Sequence, residues 1–276
     1  MQAEILTIGT ELLLGEIVDT NTAELARALR GVGADLYRTT TVGDNVELIA
    51  QAVRESLTRS EVVLTTGGLG PTVDDPTREA IAQALGVATE FHPELWEQIL
   101  ERFARFSRRP TPNNRRQAYL PAGAQALENP VGTAPGFVIE REGRVVIALP
   151  GVPAEMRYLL ENRVLPFLRD RFQLEDVIEV SVLRTAGAPE SWLDDRIQDL
   201  ERLANPTVGV SAHPGRVDIR ITAKARGVEL ARAMIAPLEQ ELRRRLGDAV
   251  YGSGADTLEA AVADRLLRRD WRLTVA

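Results

Sequence analysis

Three glycines and two adjacent aspartates stand inside one short segment, Thr65 to Arg78, with the sequence TTGGLGPTVDDPTR. Glycine has no Cβ atom, so Gly67, Gly68 and Gly70 can let backbone N–H groups approach an anion closely. A helix that begins near Pro76 would add the positive end of its dipole at the same place. The segment therefore predicts a phosphate-binding loop. A glycine-rich turn between a strand and a helix, without any ligand, is the alternative.

Carboxylates close to this loop predict a divalent cation. Asp44 follows one predicted strand, and Asp74 and Asp75 precede a predicted helix. Mg²⁺ usually takes one or two protein carboxylates together with oxygens of substrate phosphates. A role as helix N-cap explains Asp44 equally well, whereas one helix needs only one cap, which favours a ligand role within the aspartate pair. Further acidic residues nearby would need a cation or an arginine to offset them: Glu11, Glu16 and Asp19.

Residues farther along the chain could complete such a site. Gly151 and Val152 open a predicted helix, so their N–H groups form a second candidate anion site, with a plain Pro-Gly turn as the alternative. Glu155 is either a general base or only a favourable residue for the first helical turn. A proline-rich loop that could close over a ribose or a second phosphate carries Asn113, Asn114, Arg115 and Arg116. A solvated basic turn is the other reading of that loop.

Composition excludes several classes of protein. The chain has 276 residues and no cysteine, which rules out disulfides, thiolate catalysis and thiolate zinc sites. His92 and His213 stand far apart and outside any HExxH motif, which argues against a zinc hydrolase. The net charge of -7 argues against a general polyanion binder. With no apolar span of about 18 residues and no signal peptide, we expect a cytoplasmic protein without a membrane partner.

Residues 1–172 alternate strand and helix patterns, which predicts an α/β fold with a mostly parallel sheet covered by helices on both faces. Ligands in such sheets bind outside the carboxyl ends of the strands, where the polar loops of this chain fall. Thr20 or Asn21 is expected to cap the first helix, and Asp44 or Asn45 the second. A β-hairpin turning at Glu142–Gly143 and a long helix carried past Pro166 with a kink complete this part.

The pattern changes after residue 172. Strand, helix, hairpin and helix then follow in turn, which predicts a small α+β domain over residues 173–252. A fresh helix and a terminal strand are predicted in residues 253–276. In the first domain, Trp96, Phe103 and Phe106 share one helical face and are expected to be core residues.

Several motifs together closely resemble the CinA (competence/damage-inducible) family. They are GTELLLGEIVDTN, VGDN, TTGGLGPTVDDPTREAIA, PNNRRQAYLPAGA, NPVGTAPGF and LPGVPAEM. The resemblance implies that residues 1–172 adopt the molybdopterin-binding fold, that residues 173–252 form a KH-like linking domain, and that residues 253–276 begin a third domain. That third domain is a nicotinamide mononucleotide deamidase whose serine-bearing segment would come just after Ala276. We therefore expect no deamidase activity from this chain.

The family's first domain is associated with divalent-metal-dependent hydrolysis of ADP-ribose to AMP and ribose 5-phosphate. In its molybdopterin relatives the same site carries adenylyl transfer, with aspartates matching Asp44 and Asp75 as magnesium ligands. The resemblance thus implies Mg²⁺, Mn²⁺ or Co²⁺, with K⁺ as a further candidate ion, and a nucleotide substrate. The expected catalytic residues are Asp44, Asp74 and Asp75. The expected substrate-binding residues are Glu11, Asn21, Thr66, Gly67, Gly68, Gly70, Asn113, Asn114, Arg116, Gly151 and Val152.

Two other functions stay open beside ADP-ribose hydrolysis. One is nucleotidyl transfer to molybdopterin, and the other is a non-catalytic module that binds nucleotide or supports assembly. The linking domain lacks the GxxG loop through which KH modules grip RNA, and its GAPES segment departs from the family's glycine-rich version there, so we do not expect nucleic-acid binding. This part of the family is associated with dimers, which predicts a homodimer.

Overall fold

A computed structural model describes residues 1–105, 107 and 109–274 of the chain. The chain divides into two compact units, Met1–Leu174 and Glu175–Ala276. The segment 253–276, predicted as the start of a third domain, is grouped with the second unit. Phe106, predicted as a core residue, lies outside the described residues, whereas Trp96 and Phe103 pack against the core of the first unit.

The first unit is an α/β domain built on a mostly parallel sheet, as predicted. Its main sheet has the strand order β2-β1-β3-β8-β7-β6, in which β1, β2, β3 and β8 run parallel and the β6–β7 and β7–β8 pairs are antiparallel. Strands β4 and β5 form a separate antiparallel pair. The strands are β1 (Gln2–Ile8), β2 (Asp35–Val42), β3 (Val62–Thr66), β4 (Thr89–Phe91), β5 (Tyr119–Pro121), β6 (Gln125–Leu127), β7 (Gly136–Arg141) and β8 (Arg144–Leu149).

Helices pack on both faces of this sheet. They are α1 (Thr10–Leu13), α2 (Thr20–Arg30), α3 (Val46–Arg59), α4 (Thr77–Leu85), α5 (Pro93–Arg105), α6 (Pro153–Leu159) and α7 (Leu165–Phe172). Successive side chains of a strand point to opposite faces, so Leu6 of β1 enters one apolar cluster while Ile5 enters the other. Ile49 and Ile81 pack in the first cluster and Leu25 in the second. Burial on both faces explains why these strands read as nearly continuous apolar runs.

The structure corrects one predicted helix cap and decides between the two candidates for the other. The side chain of Asp19, not of Thr20 or Asn21, caps α2 by accepting a 2.9 Å hydrogen bond from the Thr22 backbone N–H. Helix α3 is capped by Asn45 and not by Asp44. In both cases several cap-forming residues stand side by side, and the path of the preceding loop decides which one has the extended backbone that a cap needs.

The long helix predicted past Pro166 is interrupted. Helix α6 gives way to a π-helical turn at Leu160–Val164, and α7 resumes at Leu165. Proline has no N–H to donate, and its ring crowds the carbonyl four residues earlier. The wider turn accommodates both effects, so the predicted kink takes the form of a π-bulge. The proline-rich loop that was predicted to be irregular contains a 3₁₀ helix, Pro112–Ala118.

The second unit is a small α+β domain whose sheet is antiparallel in the order β10-β11-β9-β12. Its elements are β9 (Asp176–Ala186), α8 (Glu190–Glu201), β10 (Thr207–His213), β11 (Arg216–Arg226), α9 (Val228–Leu246), β12 (Val250–Ser253) and α10 (Leu258–Arg268). Strand β12 was not predicted from the sequence. The predicted terminal strand is absent from residues 271–274, and the last two residues lie outside the described ones. Within the described part of the chain, no helix has the length and apolar composition needed to cross a bilayer.

Candidate functional site

An open cleft of about 470 Å³ lies at the carboxyl ends of the parallel strands of the first unit. The loops after β1, β2, β3 and β8 all contribute to it, because parallel strands end at the same edge of their sheet. The cleft brings together these predicted site residues: Glu11, Asp44, Gly67, Gly68, Gly70, Asp74, Asp75, Gly151 and Val152. The residues that sequence spacing grouped by strand ends are therefore neighbours in space.

The cleft is strongly acidic. The carboxylates that line it are Glu11, Asp44, Asp74, Asp75 and Glu155. Among the residues that the structure describes, no Lys, Arg or His side chain lines the cleft. Carboxylates crowded without a basic partner repel one another and would repel a phosphate, unless a cation lies between them. The charge of the lining thus suits a metal ion held with a phosphate ligand.

Asp44 is held by the loop that follows β1. Its Oδ2 atom accepts a 2.7 Å hydrogen bond from the Thr10 backbone N–H, and its own N–H donates to the Thr10 hydroxyl over 3.1 Å. Its Oδ1 atom has no hydrogen-bond partner within the described residues. Since Asn45 caps α3, Asp44 keeps one carboxylate oxygen for a ligand.

Asp75 is held in the same way by the glycine loop. Its Oδ2 atom accepts hydrogen bonds from the Thr72 N–H at 2.8 Å and the Thr72 hydroxyl at 2.6 Å. Helix α4 begins after Pro76 without any side-chain cap, so Asp75 does not cap it. A Cβ atom on Gly70 would lie 2.4 Å from Oδ2 of Asp75, which explains the glycine there. Asp74 is exposed and makes no hydrogen bond to a described residue.

These two carboxylates fit the implied metal. Each spends one oxygen on its loop and leaves the other without a hydrogen bond from a described residue. The described residues contain no group of three or more His, Asp or Glu side chains that could hold an ion by themselves. Asp44 and Asp75 would accordingly supply a minority of the ligands, and substrate oxygens and water would supply the rest, as is usual for Mg²⁺.

The glycine loop packs closely against the end of β1. Gly67 has φ 106°, and a Cβ atom there would lie 2.1 Å from the Ile8 carbonyl oxygen, so only glycine fits. The Gly67 N–H donates to the Leu149 carbonyl over 3.1 Å. The expectation that Gly67 offers its N–H to a phosphate is therefore corrected, because this group belongs to the sheet. The N–H groups of Gly68, Leu69 and Gly70 have no acceptor within the described part of the chain.

Asn21 and Thr66 hold the turn between β8 and α6 by hydrogen bonds and do not line the main cleft. The Asn21 Nδ2 atom donates to the Gly151 carbonyl over 2.8 Å and to the Thr66 hydroxyl over 3.1 Å. That hydroxyl in turn donates to the Pro150 carbonyl over 3.0 Å. Both residues line a smaller neighbouring pocket of about 120 Å³. Their hydrogen bonds fix the turn between β8 and α6, which presents Gly151 to the cleft.

The predicted loop of asparagines and arginines stays out of the cleft. Asn114 is buried, and its side chain accepts hydrogen bonds from Thr111, the N-cap residue of the 3₁₀ helix. Arg115 lies over the Phe91 ring. Arg116 donates to the Thr72 carbonyl and pairs with Glu79, and Asn113 is exposed. Asn114 and Arg116 spend their hydrogen bonds within the protein, and none of the four side chains lines the cleft.

Two residues of the site were missed from the sequence: one lines the cleft, and the other holds a carboxylate that lines it. Gln117, from the same 3₁₀ helix, lines the cleft and donates to the Thr133 hydroxyl over 3.3 Å. Asn129 donates a 2.5 Å hydrogen bond to Oε2 of Glu155. In the sequence, Asn129 was marked only as the first residue of the NPVGTAPGF motif. The motif did not predict what its side chain does.

Glu155 lines the cleft. Its carboxylate packs against Gly132, where a Cβ atom would lie 2.0 Å away. Burial raises the pKa of Glu155, and the hydrogen bond from Asn129 offsets part of that effect. A carboxylate with a raised pKa is a better proton acceptor than an ordinary carboxylate.

Comparison with known proteins agrees with this geometry. Residues 4–170 match the family model described as "probable molybdopterin binding domain", and residues 181–252 match "damage-inducible protein CinA KH domain". A competence-damage inducible protein of Moorella thermoacetica is 44% identical over the whole chain, which covers 67% of that relative. The chain belongs to the CinA family. Another member, a CinA-like protein of Kosmotoga olearia, is 42% identical and is covered to the same extent.

A solved CinA structure resembles part of this chain. It comes from Thermoplasma acidophilum, is 35% identical and has a TM-score of 0.57. The match covers 62% of this chain and 99% of the other. That protein is described as having unknown function. The CinA relatives thus establish the family and the fold, while the chemistry of the cleft has to be argued from its residues.

Proposed function

We propose that this CinA-family chain hydrolyses the pyrophosphate bond of ADP-ribose, in the presence of a divalent metal, to give AMP and ribose 5-phosphate. One observation carries the proposal. Asp44 and Asp75, each with an oxygen left free by its loop, line the same cleft as the unpaired N–H groups of Gly68 to Gly70. Carboxylates for a cation and amides for a phosphate in one cleft suit a pyrophosphate substrate.

The protein's part in binding follows from the same contacts. The amides of residues 68 to 70 would bind oxygens of one phosphate, and the N–H groups of Gly151 and Val152, at the start of α6, would bind the other. Asp44 and Asp75 would hold the ion. A bound divalent ion neutralises charge on the pyrophosphate and lowers the pKa of water. The acidic lining of the cleft disfavours a pyrophosphate that arrives without a cation.

Glu155 is the proposed general base. It would accept a proton from the attacking water as the new P–O bond forms and the P–O–P bond breaks. The leaving phosphate takes up the electron pair of the broken bond, so the products are AMP and ribose 5-phosphate. Asn129 holds the Glu155 carboxylate in place through Oε2 and leaves Oε1 to meet the water. No covalent intermediate is needed.

The test is a direct product assay. The chain would be incubated with ADP-ribose and Mg²⁺, Mn²⁺ or Co²⁺, and AMP would be quantified by chromatography. EDTA is the metal-free control, and replacing Na⁺ by K⁺ tests whether a monovalent ion contributes. We expect AMP with at least one divalent ion and none with EDTA. Absence of AMP with every metal would defeat the proposal.

The match to the molybdopterin binding domain favours a second candidate, nucleotidyl transfer to molybdopterin. This reaction would place a nucleotide phosphate on the same amides and cation. It predicts ATP turnover that depends on molybdopterin and is absent without it. If neither reaction occurs but calorimetry detects nucleotide binding, the cleft serves a non-catalytic binding module.

A further inference from the structure

Helix α4 holds a series of carbonyl groups of the glycine loop on one side. The Gly67 carbonyl accepts a 2.8 Å hydrogen bond from the Thr77 hydroxyl, and the Gly68 carbonyl accepts a 3.2 Å bond from the Thr77 N–H. The Leu69 carbonyl accepts a hydrogen bond from the Arg78 guanidinium. Two neighbouring residues at the start of one helix therefore fix the direction of three consecutive peptide groups.

This arrangement determines where the N–H groups point. In a trans peptide the carbonyl and the following N–H point in opposite directions. When the carbonyls of residues 67, 68 and 69 face α4, the N–H groups of Gly68, Leu69 and Gly70 face away from it. All three of these residues line the cleft. Consecutive amides directed to one side form a concave anion site, which we call the amide nest.

Arg78 places a buried positive charge behind the amide nest. The residue is 2% exposed, and its guanidinium donates to the carbonyls of Leu69 and Gly70. No carboxylate of the described residues forms a salt bridge with it, and its Nε atom is buried without a partner. Burial lowers the pKa of Arg78 to about 10, with nearby Glu79 and Asp75 opposing the shift, so the group stays charged at neutral pH.

A buried cation without an ion pair is costly to the fold. Its position beside the outward-facing amides gives it an electrostatic role. An anion on the amide nest would lie on the far side of the peptide groups that Arg78 holds. In the poorly screened interior, the charge would favour that anion more than a surface arginine could.

We infer that Thr77 and Arg78 are positioning residues of a phosphate site: they hold the amide nest open towards the cleft, and Arg78 supplies the charge that balances the bound phosphate. The inference deepens the proposed function, on which it rests for the nature of the ligand. It does not depend on turnover, because an amide nest binds phosphate whether or not a bond is broken.

The experiment measures binding of inorganic pyrophosphate by calorimetry, with Mg²⁺ present. Arg78→Met removes the charge, and Thr77→Val removes the hydroxyl donor while keeping the shape. We expect each to weaken pyrophosphate binding at least about tenfold. The reason is that the amide nest would lose hydrogen bonds to the charged pyrophosphate, and hydrogen bonds to charged groups are stronger than those between neutral groups. Thr77→Ser restores the hydroxyl and should recover most of the affinity. Arg115→Met removes an equal charge outside the cleft and should change little.

Circular dichroism and thermal unfolding establish that each variant is folded. If Arg78→Met does not fold, the Val and Ser variants of Thr77 decide the matter. Wild-type affinity in Thr77→Val and in a folded Arg78→Met, or no pyrophosphate binding by the wild type, would overturn the inference. Pyrophosphate binding that depends on both residues, without AMP formation from ADP-ribose, would leave the inference standing and refute the hydrolase.

Discussion

Glu155 is the proposed general base, but its buried carboxylate lowers the stability of the fold at high pH. Burial raises the pKa of its carboxyl above the unfolded value, so the folded state binds a proton more readily than the unfolded state. Its contribution to stability is therefore greatest at low pH and declines as the pH rises through the folded pKa. A neutral amide at this position removes that decline.

We expect Glu155→Gln to lower kcat by about 100-fold or more, which is typical for loss of a general base. The same substitution should raise the free energy of unfolding at pH 8 relative to the wild type. Steady-state AMP release and urea unfolding at pH 5 and pH 8 measure the two effects. In the wild type, activity should fall as the pH drops through the raised pKa. Glu161→Gln, at an exposed site just beyond α6, is the control.

Activity near the wild-type level in Glu155→Gln would restrict this residue to its alternative role, that of starting a helix.

Also at the scale of residues, spacing in the sequence predicted which residues come together in the cleft. It did not predict which of their atoms are free to bind a ligand. Glycines and aspartates at the ends of successive strands had to converge, since parallel strands share an edge. Whether the Gly67 amide belongs to a ligand or to the sheet depends on the neighbouring Leu149, which is distant in sequence. The contact of Arg116 with Thr72 likewise depends on how two loops pack. Such tertiary hydrogen bonds have no local sequence signature.

At the scale of elements, one buried ion pair joins α3 to the sheet. Glu4 of β1 is 2% exposed and is paired with Arg59 at the end of α3 over 2.9 Å. Burial alone would raise the pKa of Glu4, but hydrogen bonds from Arg59, Ser56 and Ser60 outweigh it, and the pKa is lowered. The pair therefore stabilises the fold above the unfolded pKa of Glu4, and this stabilisation is lost as the pH falls through the folded pKa.

Arg59→Met should leave the buried Glu4 carboxylate without its partner and lower the free energy of unfolding at pH 7 by more than the loss of an exposed pair does. Arg54→Met, which breaks an exposed pair with Glu47 on the same helix, should cost about 0.5 kcal/mol. Chemical unfolding at pH 7 and pH 4 compares them. The difference between the variants should shrink at the lower pH, where Glu4 takes up a proton. Equal losses at pH 7 would contradict the account.

Most elements of both units were predictable, because apolar periodicity and turn residues mark them locally. The Glu142–Gly143 hairpin is the clearest example: both residues adopt positive φ, as its turn requires. The misses have tertiary causes. Strand β12 is short and exists by pairing with β9, and the π-bulge before Pro166 is one of several ways to absorb a proline. Asp19 caps α2 because the loop before this helix gives Asp19 the extended backbone that a cap needs.

At the scale of the whole molecule, the first unit covers both faces of its own sheet. A domain with a complete core can fold alone. We expect residues 1–174 to fold independently and to release AMP within about threefold of the full-length rate. Thermal unfolding and the product assay measure this. An unfolded or inactive fragment would mean that the second unit contributes to the site.

We propose that two copies of the chain associate through the second unit. If this proposal holds, the full chain is a homodimer and residues 1–174 are monomeric. Light scattering coupled to gel filtration gives both masses. A dimeric fragment would place the interface in the first unit, and a monomeric full chain would remove the proposal.

The central claim is that Asp44 and Asp75 hold one cation beside the amide nest. Its most direct test is the rate of AMP release from ADP-ribose by Asp44→Asn and Asp75→Asn across a range of metal concentrations. Asparagine can still accept the hydrogen bond from Thr10 or Thr72, so both variants should fold. We predict a loss of about 100-fold or more in each, as for removal of a main electrostatic contact to the transition state. Glu16→Gln, in the acidic loop between α1 and α2 and outside the cleft, should retain the wild-type rate. A wild-type rate in Asp75→Asn would contradict the claim.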